Sequence, residues 1–172
     1  MDATPGRLDG DEAGPAGPGD LAGRAFLEAI RDGRLPPAAM AGTLDFALET
    51  IEDGRVVFVG RPSAAHYNPI GSVHGGYAAT LLDSAMGCAV HSQLDAGVAY
   101  TTLELKVSFV RALGAEAGPV HAEGRVVHRG RRIATAEGRL TDAAGRLYAH
   151  GSCTCLIMEP RRPAGEQGRA AD

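Results

Sequence analysis

His66-Tyr-Asn68-Pro-Ile-Gly71-Ser-Val-His74-Gly75-Gly76-Tyr77-Ala-Ala-Thr80-Leu-Leu-Asp83 is the stretch around which the chain is organised. A turn dipeptide, Asn68-Pro69, and a pair of glycines stand in front of a long apolar run, and that run carries one carboxylate, Asp83. From Gly75 to about Leu94 the apolar residues leave no wide polar face, the pattern of a helix buried on all sides. Gly75 and Gly76 fall at its start, where the first N–H groups have no partner inside the helix and the macrodipole is positive. Two readings of the glycine pair stand at this point: close approach of a ligand carbonyl or anion to those N–H groups, or tight packing of the turn against its neighbours.

Asp83 has Ala79, Thr80, Met86 and Gly87 as its i±3 and i±4 neighbours, so no cation shares its face. A carboxylate buried in this way needs hydrogen-bond donors from elsewhere or a raised pKa. It is a candidate general base or nucleophile; the alternative is an Asp bonded to nearby backbone or hydroxyl groups. With a rise of about 1.5 Å per residue, Gly75 and Asp83 are on the order of 12 Å apart on one helix. One small reacting group cannot touch both, so joint action on one substrate requires two chains and a site shared across a symmetric interface.

Outward from this stretch the chain divides simply. Residues 1–19 are rich in Gly, Pro, Ala and Asp and are expected to form a disordered leader. Residues 20–159 are expected to form one domain and residues 160–172 a polar, disordered tail. An amphipathic helix is predicted over 20–32, with Asp20 as N-cap and Gly33 as its stop. Apolar runs at 44–51 and 55–60 flank Asp53-Gly54, a hairpin signal. After the central helix the period becomes two. Leu103, Leu105, Val107 and Phe109 fall on one face of a strand, and Thr102, Glu104, Lys106 and Ser108 on the other. Three further strands are predicted over 119–129, 132–141 and 146–158. The order of hairpin, buried helix and four strands argues for an α+β fold in which an antiparallel sheet curls around one long central helix.

A formal charge of -4 argues against a general polyanion binder. Three cysteines and no apolar leader point to a reducing cytoplasm, and Cys153 and Cys155, two apart on a strand, read as core. The histidines have no metal-ligand spacing, so no metal site is expected. His74 reads either as a residue that orients a substrate or a loop or as a hydrogen-bonded structural residue of the turn. Arg125, Arg129, Arg131 and Arg132 cluster around Gly130, either as a solvated hairpin tip or as partners for phosphate.

Together, Asn68-Pro-Ile-Gly71-Ser-Val-His74-Gly75-Gly76, Asp83 and the strand beginning Tyr100-Thr-Thr-Leu closely resemble the hotdog-fold acyl-CoA thioesterases of the phenylacetic-acid-degradation type. The resemblance covers roughly residues 43–158. It implies a hotdog fold, assembly into homodimers and commonly homotetramers, and hydrolysis of an acyl-CoA thioester without metal or other cofactor. Position by position, it implies that the Gly75 N–H polarises the thioester carbonyl in a pocket shaped by Asn68 and His74. Asp83 of the partner chain serves as base on water or as nucleophile. Thr102 supplies a supporting hydroxyl, with Thr101 as the alternative because strand parity sets it on the apolar face with Leu103. Gly76 and Tyr77 are expected at the substrate, with Leu81 and Met86 in the pocket wall, and Arg111, Arg129 and Arg131 at the CoA phosphates. An enoyl-CoA hydratase would pair an Asp with a His on the helix, and none follows Asp83 before His91. A binding module without chemistry would have no need of Asp83.

Overall fold

The computed structural model describes residues 18–159. The expected leader and tail lie outside the described residues, apart from Pro18–Asp20, which form a single 3-10 turn. Helix α1 spans Gly23–Arg31 and starts at Ala22, which makes no side-chain cap bond, so Asp20 is not its N-cap. A short helix absent from the sequence expectation, α2, spans Ala39–Thr43. Strands β1 (Phe46–Glu52) and β2 (Arg55–Gly60) form the expected hairpin, with Gly54 at φ 70° in its turn. The central helix α3 covers Gly75–His91, and β3 (Ala99–Phe109), β4 (Val120–Arg129), β5 (Ile133–Asp142) and β6 (Leu147–Met158) follow.

All six strands join one antiparallel sheet in the order β1-β2-β4-β5-β6-β3, which leaves β1 and β3 as its edges. The sheet wraps α3 because its inner face is built of small residues. Ala122, Ala134, Ala136, Ala149, Cys153 and Cys155 are all buried on that face. Gly124, Gly138 and Gly151 lie in register across three neighbouring strands. A Cβ at Gly124 would come within 2.4 Å of the Ala85 backbone, and one at Gly138 would press on Leu82 and Met86. Glycine is required there for the helix backbone to approach the sheet this closely.

The opposite surface of α3 was expected to be buried as well, and it is not. Leu81, Leu82, Ala85, Met86, Ala89 and Val90 have no solvent exposure, whereas Thr80, Asp83, Ser84, Cys88 and His91 are only half-buried. These five share one stripe, since positions three or four apart stack on one helix face. Among the described residues no helix is long and apolar enough to cross a membrane.

Candidate active site

The two ends of the 66–83 stretch are built independently. At its start the chain folds into a tight turn tied down by Asn68. The Asn68 side chain accepts from the Ile70 and Ser72 N–H groups at 3.1 and 3.3 Å and donates to the Ser72 hydroxyl at 3.1 Å. Gly71 takes φ 85° in this turn, a left-handed conformation that favours glycine. Val73 is anchored by its N–H to the Leu113 carbonyl, and His74 by its N–H to the carbonyl of His66. The chain therefore enters α3 in a fixed direction, and Asn68 spends its hydrogen bonds on the turn itself.

His74 caps the helix. Its Nδ1 accepts from the Gly76 N–H at 2.8 Å, so the neutral ring carries its proton on Nε2. A Cβ at Gly76 would sit 2.9 Å from that nitrogen, which is why a glycine lies beneath the imidazole. The Gly76 N–H is thus occupied. The Gly75 N–H, at the first helical position, has no hydrogen-bond partner among the described residues. It opens beside a cavity of about 410 Å³ lined by His74, Gly75, Phe109, Arg111 and Tyr148. The Phe109 ring lies over Gly75, within 3.1–3.5 Å of where a Cβ would be.

Two helical turns on, Asp83 Oδ1 accepts from the Thr102 hydroxyl at 3.0 Å. Among the described residues no cation pairs with this carboxylate. Simple alternation placed Thr102 on the face opposite Leu105. The structure brings both to the inner face through a β-bulge: Thr102 pairs with Cys155 and Glu104 with Thr154, leaving Leu103 as an extra residue. An inserted residue shifts the parity of everything on one side of it and re-aims a side chain. Of the two candidate threonines, Thr102 is therefore the one at the carboxylate, while Thr101 is exposed.

Asp83 and Thr102 open into a second, larger cavity of about 680 Å³. Its roof comes from α1 and α2, its side from β1, and its floor from Ser84, Cys88 and His91 on α3, with Tyr100 beside them. This cavity replaces the expected pocket wall. Tyr77 is 3 % exposed and Leu81 and Met86 are fully buried in the core, so none of the three can touch a substrate. Tyr77 stacks on His66 at 4.7 Å, and burial, with the charge of Asp45, pushes its hydroxyl up to about 12. Burial likewise raises the Cys88 thiol to about 12, against the opposing influence of the Tyr100 hydroxyl, and lowers the His91 imidazole. The sequence signal for this floor was the interruption of an apolar helix at Ser84, Cys88 and His91, four and three residues apart.

The arginines separate. Arg111 borders the Gly75 cavity. Arg129 is exposed and pairs with Ala134, level with Cys155 and Thr102 across the sheet, and Arg131 follows it in the exposed β4–β5 turn. Phe109, by contrast, pairs with Ala149. These levels are six residues apart along β6, about 20 Å of strand, so within one chain Arg111 and the β4–β5 turn stand at opposite ends of the sheet. Among the described residues no group of three or more His, Cys, Asp or Glu side chains is gathered for a metal.

Comparison with known proteins agrees with this fold. Residues 70–149, which run from the turn through the Gly75 and Asp83–Thr102 sites into β6, match the family model described as the thioesterase superfamily. The solved structure of a phenylacetic acid degradation-related protein from Ralstonia eutropha JMP134 is 30% identical with a TM-score of 0.69, over 76% of this chain and 98% of that one. A 1,4-dihydroxy-2-naphthoyl-CoA hydrolase of Listeria monocytogenes is 22% identical over 70% of this chain and 96% of its own length. A Halobacterium salinarum protein named as an esterase is 44% identical over 69 residues, which is 39% of this chain and 44% of that protein, less than half its length. With an antiparallel sheet wrapped around one central helix and a match running through both halves of the site, the chain belongs to the thioesterase superfamily, a family of thioester hydrolases built on the hotdog fold.

Proposed function

We propose that the protein hydrolyses an acyl-CoA thioester, with an aryl or medium-chain acyl group, to the free acid and CoA, in a site shared by two copies of the chain. The observation that carries this reading is the separation of its two halves. The free N–H of Gly75 opens on one cavity and the Asp83 carboxylate on another, about 12 Å apart along α3. A carbonyl held at Gly75 is out of reach of Asp83 in the same chain.

A second copy supplies what one lacks. Strand β3 is a free edge of eleven residues with Leu103, Leu105 and Phe109 exposed, and such an edge is a template for pairing. Antiparallel pairing of β3 with its own copy about a two-fold axis sets the end carrying Thr102 against the end carrying Phe109. Phe109 lies over Gly75, so Asp83 of one chain approaches Gly75 of the other, twice per dimer. The same rotation carries the β4–β5 turn, with Arg129 and Arg131, toward the partner's Arg111, where their guanidinium groups suit the phosphates of CoA.

In this arrangement the thioester oxygen accepts the Gly75 N–H at the positive end of α3, which draws charge from the carbonyl carbon. Asp83, held by Thr102, takes a proton from water as the water oxygen bonds to that carbon. The tetrahedral oxyanion rests on Gly75. Its collapse breaks the carbon–sulfur bond, and the proton on Asp83 passes to the departing sulfur. Water and thioester become acid and thiol, and Asp83 is regenerated.

Hydrolysis of a panel of aryl- and alkyl-CoA thioesters by wild type and Asp83→Ala tests the reading. The variant is expected to stay folded and dimeric and to lose most turnover. Turnover equal to wild type removes Asp83 from the chemistry.

A further inference from the structure

One side chain stands where the two halves of the shared site meet. Phe109 is the last residue of β3, and its ring lies over Gly75, 3.1–3.5 Å from where a Cβ would be. Side chains on a helix tilt back toward its N-terminus, so the place of that absent Cβ is beside the N–H at the first helical position. The ring therefore borders the space into which the Gly75 N–H opens. It is also 57 % exposed in the single chain, and Val110 next to it is exposed as well. Exposed apolar side chains gathered in one place mark a contact surface, and pairing of β3 with its copy brings the Thr102 end of the partner strand to this side of the ring.

The backbone holds the ring in place. Phe109 pairs with Ala149, and just beyond it the Val110 and Arg111 N–H groups both donate to the Tyr148 carbonyl, at 2.9 and 3.2 Å. Tyr148 is buried, and its hydroxyl donates to Asp142 at 3.3 Å, a carboxylate that also accepts from Arg146. The inner wall of the Gly75 cavity is apolar, with Ala78, Leu113, Leu140 and Ala149 all buried. His74 spends its Nδ1 on the Gly76 N–H. A donor in such surroundings binds a developing oxyanion strongly where water is kept out, and weakly where water competes for it.

We propose that Phe109 is a substrate-contacting residue of the thioester site. Its ring covers one face of the planar thioester, holds the carbonyl oxygen on the Gly75 N–H of the same chain and keeps bulk water from that N–H. The other face is left to the water that the partner's Asp83 activates. This rests on the shared-site reading above.

The test uses the thioester that wild type hydrolyses fastest in the aryl and alkyl panel. Its kcat and KM are measured for wild type, Phe109→Leu and Phe109→Ala, with the mass of each assembly checked by light scattering. The carbonyl stretch of the matching ketone, with a methylene in place of the thioester sulfur, is recorded by infrared difference spectroscopy on each protein. Phe109→Ala is expected to lose roughly tenfold in kcat, part of the hundred- to thousandfold that a whole oxyanion donor is worth, and Phe109→Leu to lose less. The loss should fall on kcat more than on KM, because the donor counts most when the oxygen carries charge. The bound ketone band, moved to low frequency in wild type by the Gly75 N–H, should return toward its position in water in Phe109→Ala. Should Phe109→Ala dissociate, Phe109→Leu, which keeps most of the bulk, carries the test. A dimeric variant with wild-type kcat, or a loss of kcat with the ketone band unmoved, overturns the role of Phe109 and leaves Gly75 and Asp83 standing. Dissociation of both variants into monomers makes the ring an interface contact alone and overturns it too. A wild type that hydrolyses no thioester of the panel sinks this proposal together with the reading it rests on.

Discussion

Replacing Thr102 with valine isolates the contact between β3 and the carboxylate. Valine keeps the shape and the strand preference of threonine, so the sheet and the bulge at Leu103 should persist. What disappears is the 3.0 Å bond from the hydroxyl to Asp83 Oδ1. A hydrogen bond to a charged group is worth about 1.5–3 kcal/mol. If that interaction aligns Asp83 for attack by water, its loss slows turnover by roughly 10- to 150-fold, at 1.36 kcal/mol per factor of ten. Among the described residues the other hydrogen-bonding contact of the hydroxyl is the Cys155 sulfur at 4.0 Å, too weak to alter this. Steady-state hydrolysis of one thioester by wild type, Thr102→Val and Thr102→Ser is the assay, with thermal melting as a check on folding. Thr102→Ser should recover most of kcat. A valine variant within twofold of wild type refutes the claim that Thr102 holds the catalytic carboxylate.

Gly76→Ala places a Cβ 2.9 Å from His74 Nδ1 and should displace the capping ring, lowering kcat and costing on the order of 1 kcal/mol of stability by chemical denaturation. Gly124→Ala drives a Cβ into the Ala85 backbone, which cannot rotate aside; a loss of roughly 1–3 kcal/mol or outright misfolding is expected in thermal melts. Arg111→Ala should raise KM for acyl-CoA with kcat little changed, and the effect should shrink in high salt, as follows from removing an exposed phosphate partner. In a single turnover in oxygen-18 water, the label should appear in the released acid and not in Asp83, as judged by peptide mass.

The element order was legible in the sequence because each element announces itself locally. The Asp53-Gly54 turn, the apolar run after Gly75 and the alternation from Thr102 each specify one element by its period. The site was legible in part. Asp83 stands out as a carboxylate in an apolar helix, and the division between it and Gly75 follows from the helix rise alone. The partner of Asp83 was legible only through the family resemblance, which offered Thr102 with Thr101 as the alternative; the alternation could not decide between them, since a one-residue bulge leaves no mark on it and reverses the face to which Thr102 belongs. The cavity was not legible. It is roofed by α1 and α2, which are distant in sequence from α3, and Tyr77, Leu81 and Met86 turned into the core because the glycine and alanine rows draw that side of α3 onto the sheet.

The central claim is that each active site takes Gly75 from one chain and Asp83 from another, and complementation tests it most directly. Gly75→Pro removes the N–H at the first helical position, where proline is favoured, and His74, at ψ 135°, already has the extended conformation that precedes proline. Asp83→Ala removes the carboxylate. Each variant alone should be nearly inactive. After unfolding and refolding as a 1:1 mixture, half the dimers are mixed and each contains one site with both groups intact, so activity should return to about a quarter of wild type. Activity that stays at the level of the separate variants, in a mixture shown by mass spectrometry to contain heterodimers, would contradict the shared site.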